Sequence, residues 1–429
     1  MKKLSIAFLL LIVAVLLTPK LIGGVVEIEH QSAMKKLNEN PAITVNSTTF
    51  ARQWFNGAAT TEIAIKIEGE EINNITLVVE EDILFGPIIF TKEGVEFGLS
   101  YSQADINFKD FILDEEIETF IKDTVHLSAL LTFSKNIVSH LVVDDVSKEI
   151  DGNKIISAKA LGKFTLENNS RFYGDFTWPG LTITSNEESL SIKKLDFSVD
   201  QTLIAGDYFQ GNAISIGDFN FSLASVTGKD TTGEIVLTID NLSAIAMSSV
   251  HDDLMNITMN YNANKILTKG LQLDNANLAI IFDRFNIQVM QEVNTFMSGF
   301  STNSEAMFNP ENIQKMSDLV AKLLIDDPII KIEDLSVVTP EGKIKSEMQV
   351  SVDKNLFDTA NIMSIMAAVK ADAKGKAPMP FFDKLGLAPM IGMYVDQGFI
   401  IQKEDELSFI LNYVQGKLDV NGKIIPLYV

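Results

Sequence analysis

The segment Glu62-Ile63-Ala64-Ile65-Lys66-Ile67-Glu68 puts isoleucine at every second position, between charged or small residues. Side chains of an extended chain point to opposite faces in turn, so this run reads as a strand that buries one face. The same period recurs on both sides of it. Upstream, Ile43-Thr44-Val45-Asn46-Ser47-Thr48 leads into Phe50, Arg52 and Trp54, and Asn56-Gly57 supplies a hairpin-turn pair. Downstream, strands are expected at residues 74–80, 88–92, 95–101 and 105–108, then at 124–133, 137–146, 154–161 and 172–178. The series continues at 190–199, 217–224, 233–239, 255–261 and 271–278. Asp151-Gly152, Pro179-Gly180 and Gly228-Lys229-Asp230 mark turns between them. No long helix separates these strands, so they pair antiparallel rather than through βαβ units. The expected fold is mainly β (α+β): a long twisted or rolled antiparallel sheet, with a few helices from the C-terminal half packed on it.

Helical spacing enters late. Over residues 281–300, Phe282, Phe285, Val289, Val293 and Phe296 recur at intervals of three and four. Asn309-Pro310-Glu311 combines a cap, a proline at the first helical position and an acid in the first turn, and opens a helix to about residue 325. Shorter helices are expected at 361–369, 380–385 and 388–396, and strands at 329–335, 343–352 and 371–376. The end reads as a hairpin over 407–427, with Asn421-Gly422 as a type I′ turn.

The beginning is of another kind. Lys2-Lys3 precede a run, residues 4–17, broken only by Ser5, and Thr18-Pro19-Lys20 leads on to Leu21-Ile22-Gly23-Gly24-Val25-Val26. Residues 4–26 have the length of a membrane-spanning helix if the Lys20 ammonium reaches the interface. A secretory signal peptide is the competing reading, but no small-x-small cleavage site follows the run. With two lysines before the core, the positive-inside rule leaves the N-terminus in the cytoplasm and the body across the membrane. The expected organisation is an anchor at 1–26, a helical linker at 27–40 that Asn40-Pro41 ends, and a β-rich body at 41–429 with helices near 281–325 and 360–396.

Of 429 residues, 46% are apolar, which is enough for a substantial core, and the formal charge is −22. That balance argues against nucleic acid as a partner, because phosphate binding needs clustered cations. Zero cysteines exclude disulfides, cysteine-zinc sites and thiol catalysis. The four histidines, His30, His126, His140 and His251, show no metal-ligand spacing, though His126 and His140 fall on expected strands that could bring them together. The acids Asp144, Asp145, Glu149 and Asp151 do not follow a calcium-loop pattern, since Val146 and Lys148 interrupt it. Glu80-Glu81-Asp82 and Asp114-Glu115-Glu116 read as solvated acids. No P-loop, dinucleotide fingerprint or Gly-x-Ser-x-Gly occurs, so no catalytic, cofactor or metal residue is assigned. The apolar stripe Phe282, Phe285, Val289, Val293, Phe296 and Met297 is either core packing or the wall of a lipid groove.

Several stretches together resemble one family. These are residues 43–65 with Arg52 after an aromatic, Leu84-Phe85-Gly86-Pro87, and Phe172-Tyr173-Gly174-Asp175-Phe176-Thr177-Trp178-Pro179-Gly180-Leu181. To them add Leu323-Leu324-Ile325-Asp326-Asp327-Pro328-Ile329-Ile330-Lys331-Ile332 and the closing Gly416-Lys417-Leu418-Asp419-Val420-Asn421-Gly422. With the N-terminal run, the chain resembles the bacterial DUF945 family, with one departure, Arg52-Gln53 where Arg-Gly is usual. The resemblance implies a Gram-negative inner-membrane protein with its body in the periplasm and no assigned activity. The reading that follows is a tethered, non-enzymatic structural, interaction or envelope-assembly factor whose partners are the inner membrane and periplasmic proteins or lipids. The alternative is a lipid-binding or lipid-transfer module, and a hydrolase is third.

Overall fold

A computed structural model describes residues 2–66, 74–92, 94–109, 115–150, 152–185, 188–298, 309–358, 361 and 364–425, with the side chains of residues 2–16, 74, 115–118, 120, 150 and 298 excepted. Ile67, Glu68, Asp114, Asp151, Phe300 and Leu427 lie outside the described residues, as do the side chains of Glu115, Glu116 and most of the N-terminal apolar run. In chain order the elements are α1 (Lys2–Leu37), β1 (Ile43–Arg52), β2 (Asn56–Lys66), β3 (Asn74–Phe85), β4 (Ile88–Thr91), β5 (Gly94–Phe97) and β6 (Ser100–Phe108). Then come α2 (Glu115–Thr124), β7 (Val125–Leu131), β8 (Ile137–Val143), β9 (Val146–Ile150), β10 (Asn153–Ser157), β11 (Ala160–Glu167) and β12 (Arg171–Ser185). The long strands are β13 (Glu188–Ala205), β14 (Ile214–Lys229), β15 (Ile235–His251), β16 (Leu254–Thr268) and β17 (Leu271–Asn286). After α3 (Ile287–Ser298) and α4 (Pro310–Leu324) follow β18 (Ile329–Thr339), β19 (Gly342–Val352), α5 (Ile365–Ala368) and β20 (Val369–Pro378). The chain closes with α6 (Met379–Lys384), α7 (Ala388–Asp396), β21 (Ile401–Lys403), β22 (Glu406–Val414), β23 (Lys417–Val420) and β24 (Lys423–Ile425).

The protein is mainly β, and every described strand pair is antiparallel. The contacts divide it into two units. The first comprises Met1–Pro179, Ser198–Ser215 and Asn294–Ala306, the second Gly180–Phe197, Ile216–Val293 and Met307–Val429.

In the first unit the strands run β1-β2-β3-β6-β7-β8-β11-β12. A β9–β10 hairpin adds to it, and β4–β5 forms a separate two-stranded sheet. In β2 burial alternates over residues 56–61, where Gly57, Ala59 and Thr61 are buried and Asn56, Ala58 and Thr60 exposed, whereas Ile63 and Ile65 are half-buried like Glu62 and Ala64 beside them. Ala59 joins Ile83 and Phe85 of β3 and Ile22 and Val26 of α1 in the core of this unit, with Phe50, Leu99 and Leu131 packed around them. Ile22 and Val26, which the sequence places in the anchor, are therefore part of the body's core. Among the described residues no helix is long and apolar enough to cross a membrane.

The second unit is a meander in which β14 to β20 each pair with the next strand, followed by β22, β23 and β24, with β21 beside the start of β22. Helix α4 starts as its sequence predicts: the Asn309 side chain accepts from the Asn312 amide at 2.8 Å, and Pro310 is the first helical residue. Its buried residues are Leu319, Ala321 and Leu324, whereas Ile313 and Val320 are exposed. Asn421 and Gly422 both take positive φ, 55° and 83°, as the type I′ turn requires.

Four expectations at the level of elements change. The turn before β2 is formed by residues 53–55, closed by Gln53 N–H to Asn56 O at 2.8 Å, and Asn56-Gly57 lies inside the strand. Gly57 is there for closeness, since a Cβ would stand 3.0 Å from the Phe85 ring and from the Ala51 carbonyl oxygen. Pro179-Gly180 lies inside β12, where a Cβ on Gly180 would collide with the Ile192 carbonyl oxygen. Helix α2 occupies a stretch read as loop and strand. At residues 281–286 the helical spacing belongs to a strand: β17 runs to Asn286 and carries a bulge, with Met255↔Phe285 and Ile257↔Phe282 in register and Arg284 at φ 66°. An extra residue in one strand lets side chains three apart share a face, which imitates a helical interval. The strands β13 to β17 reach 15–18 residues. In β17 the register against β18 shifts between Asp274 and Asn277, beside the left-handed Asn275, and hides the continuation of the alternation.

Candidate functional site

Three places in the molecule are built well enough to be weighed as sites, and each lies within one unit. The first is the cradle that holds the second half of α1. Gly23 lets the helix close onto β3, because a Cβ there would lie 2.7 Å from the Phe85 ring, and Gly24 makes room for the Arg52 guanidinium. Arg52 Nε then reaches Glu27 Oε2 at 3.4 Å. Further along the helix, His30 Nε2 meets Glu81 Oε2 at 3.1 Å, and its ring tilts against Phe50 with centroids 5.4 Å apart. His30 Nδ1 is buried with no hydrogen-bond partner among the described residues. Glu29 accepts from Lys135 at 2.7 Å, and Lys36 donates to Asp207 at 2.8 Å. Burial opposes ionisation of Asp207, but the Lys36 ammonium and the Phe209 amide outweigh it and hold the carboxyl below its ordinary range. At the other end Lys20 Nζ lies 4.7 Å from the centre of the Trp54 ring, a cation–π contact.

The second place is a polar cleft of about 610 Å³ in the first unit, lined by Thr60, Glu80, Asp82, Asp105, Lys122 and His126 among others. The register Glu80↔Asp105 and Asp82↔Gln103 puts these side chains on one face of the sheet. Lys122 approaches Asp105 at 3.9 Å, and His126 Nε2 meets Asp144 at 3.1 Å. Asp144 also accepts from Lys159 at 3.2 Å, and chiefly that bond holds its carboxyl below the ordinary range. His140 pairs in register with Ser128 rather than with His126. Among the described residues no group of three acids or histidines is placed to hold a metal ion.

The third is an apolar groove in the second unit. Its parts, about 330 and 200 Å³, share Lys345, Ser346, Gly375, Lys376, Ser408 and Phe409. Strands β19, β20 and β22 form the floor, and Phe382 of α6, Ile391 of α7 and Ile400 stand along one side. Gly375 creates it: a Cβ there would lie 2.5 Å from the Phe409 ring, which lies across the glycine. A glycine inside an alternating strand is the one sequence signal that points here, and only the pairing Gly375↔Phe409 gives it meaning.

The stripe of the sequence reading is distributed. Phe282 and Phe285 sit on β17, with rings 6.0 Å apart in an edge-to-face pair, and with Val289 and Val293 of α3 they fall in the second unit. Phe296 and Met297 of α3 fall in the first. Val289 and Phe296 are buried, and Met297 is exposed.

The motif stretches are structural corners. Gly86 faces Gly98 so closely that a Cβ would strike the Gly98 carbonyl oxygen, which makes a neck for the β4–β5 hairpin. Trp178 donates to Ser157 Oγ at 3.0 Å within the first unit. Asp327, at φ 51°, turns the chain from α4 to β18 and accepts from the Lys354 amide at 3.1 Å. No curated protein and no solved structure matches the chain. A family model described as bacterial protein of unknown function matches residues 1–428, the stretch that carries every one of these corners. The chain belongs to the DUF945 family.

Proposed function

We propose that this chain is a membrane-tethered envelope protein whose first α1 turns lie in the inner membrane and whose β-rich body stands in the periplasm as a non-enzymatic structural, interaction or assembly factor. The observation that carries the reading is the continuity of α1. One helix runs from the apolar residues 4–17 into a cradle where Ile22 and Val26 are core residues. A cleavable leader has no reason to be built into the core of the protein it leaves. A soluble core helix has no reason to carry an all-apolar run beyond its cradle. On the acid face of the first unit, Asp105 and Asp144 stand beside Lys122, Lys159 and His126, which supports a surface rather than a reaction centre. The test is alkaline phosphatase fused to the C-terminus, together with carbonate extraction of the full chain. The reading requires phosphatase activity and retention in the membrane pellet; release of intact protein by carbonate sinks it.

The second reading is a lipid-binding module, and the groove floored by Gly375 and Phe409 favours it more specifically than the stripe from Phe282 to Met297 does. Lipid mass spectrometry on the purified full chain, beside an Ile391→Asp variant, separates the two readings. Phospholipid retained stoichiometrically by the parent and lost in the variant would put the lipid module first.

A further inference from the structure

The hairpin β4–β5 is built inside out. Its cross-strand pairs are Ile88↔Phe97, Ile89↔Glu96 and Phe90↔Val95. Ile89 faces inward and is 2% exposed, while Ile88 (41%), Phe90 (75%), Val95 (50%) and Phe97 (62%) share the outer face. A two-stranded ribbon whose outer face is wholly apolar marks a contact surface. The hairpin leaves the sheet at Phe85 and returns at Leu99. There Phe85 N–H donates to Phe55 O at 2.8 Å, and Leu99 N–H to Leu131 O at 2.7 Å. The exposed Trp54, Phe55 and Phe133 therefore belong to the same end of the sheet.

Helix α1 reaches that same end. Its contacts move from Glu81 at His30, to Phe85 at Gly23, to Trp54 at Lys20. The helix thus runs antiparallel to β3 toward the sheet's end, and Pro19, next to Lys20, is still buried. Because Pro19, Ile22 and Val26 are buried in the body, only residues 4–18 remain for a membrane. Fifteen helical residues at 1.5 Å each span about 22 Å, well short of a hydrocarbon layer of about 30 Å. No slack is left between bilayer and body, so the interface must fall at the level of Lys20. Aromatic rings beside a lysine are the groups that settle at that depth.

We propose that the outer face of β4–β5, with Trp54, Phe55 and Phe133, is an interfacial collar that seats the first unit on the lipid surface from which α1 emerges. The proposal rests on the tether reading and adds a second, separate contact with the same bilayer. The chain has no cysteine, so Phe90→Cys, Phe97→Cys and, as a reference, Lys109→Cys each carry a single nitroxide. Lys109 follows the far end of β6, since Phe108 pairs with Leu77 while Ser100 pairs with Phe85. The full-length chain is reconstituted in phosphatidylethanolamine–phosphatidylglycerol vesicles and floated. The collar requires co-flotation, with labels 90 and 97 more accessible to oxygen than to a nickel chelate and label 109 the reverse. Flotation with labels 90 and 97 as aqueous as 109 overturns the collar and leaves the tether standing. Failure to float overturns both. Labels that are aqueous in these vesicles but shielded in native membranes make the face a protein-docking surface and also overturn the lipid assignment. As an independent measurement on the unlabelled Trp178→Phe chain, Trp54 emission must shift to the blue on reconstitution; an unchanged spectrum counts against the collar.

Discussion

Helix α1 over β1–β3 in the first unit and α6–α7 over β19–β22 in the second are two coverings of the same kind of antiparallel sheet. The first is filled and the second is hollow. Under α1, small residues on both partners, Gly23, Gly24, Gly57 and Ala59, let Ile22, Val26, Ile83 and Phe85 meet with no room left. Under α6–α7, Gly375 and Ala377 of the sheet line the groove while Gly392 of α7 meets open space, and Phe409 lies across Gly375, so Phe382 and Ile391 line a groove instead of closing it. Apolar residues stay exposed on both coverings: Leu21, Val25 and Ile28 of α1, and Leu385, Leu387, Met390 and Met393 around α6–α7. Close approach needs glycine or alanine on both surfaces, and a covering that lacks this on one side keeps a cavity.

That contrast predicts a ranking. Phe85→Ala removes a fully packed ring from the α1 cradle and should cost about 3–5 kcal/mol, read as loss of the first unit's denaturation transition. A loss under about 1 kcal/mol would show that α1 is not part of that unit's core. Gly23→Val pushes a branched side chain into the Phe85 ring and should cost about 1–3 kcal/mol by overpacking, with faster proteolysis of α1 as the second readout. Phe409→Ala, at a half-buried position, should cost only about 1–2 kcal/mol and enlarge the groove. An effect as large as that of Phe85→Ala would mean the groove is core after all. The smallest effect is a pH dependence at the end of α1. Asp207 has its folded pKa lowered by Lys36 and the Phe209 amide against the effect of burial. Its contribution is therefore present above the unfolded value of about 3.9 and is lost as pH falls through the lower folded value. In Asp207→Asn, the fall in stability below about pH 4 should be shallower than in the parent. Equal slopes in the two proteins would remove Lys36–Asp207 as a tie for α1.

The two ends of the chain were not equally legible. Period-two alternation placed a strand inside each of β1, β2 and β3, although it missed the first six residues of β2 and the last five of β3. It stopped short of the ends of β13 to β17; in β17 the bulges beside Asn275 and Arg284 reverse the phase without any mark in composition. The cap of α4 was readable because Asn309, Pro310 and Glu311 act within one turn of the helix. The groove was not, because Gly375 and Phe409 are 34 positions apart and only strand pairing joins them. The same holds for the collar: Trp54, Phe90, Phe97 and Phe133 sit in three separate turns.

By itself, then, the sequence determined what depends on neighbours along the chain: an apolar helical start, an antiparallel β body, the cap of α4, the Asn421-Gly422 turn and membership of the DUF945 family. Tertiary structure alone decided where the apolar start stops being available to a membrane, since Ile22 and Val26 are as apolar as the residues before them and differ only in what packs against them. It also decided which apolar residues become core and which face outward. Hydrophobicity is a property of the residue, but burial is a property of the pair, and pairing across a sheet is set by register rather than by distance along the chain.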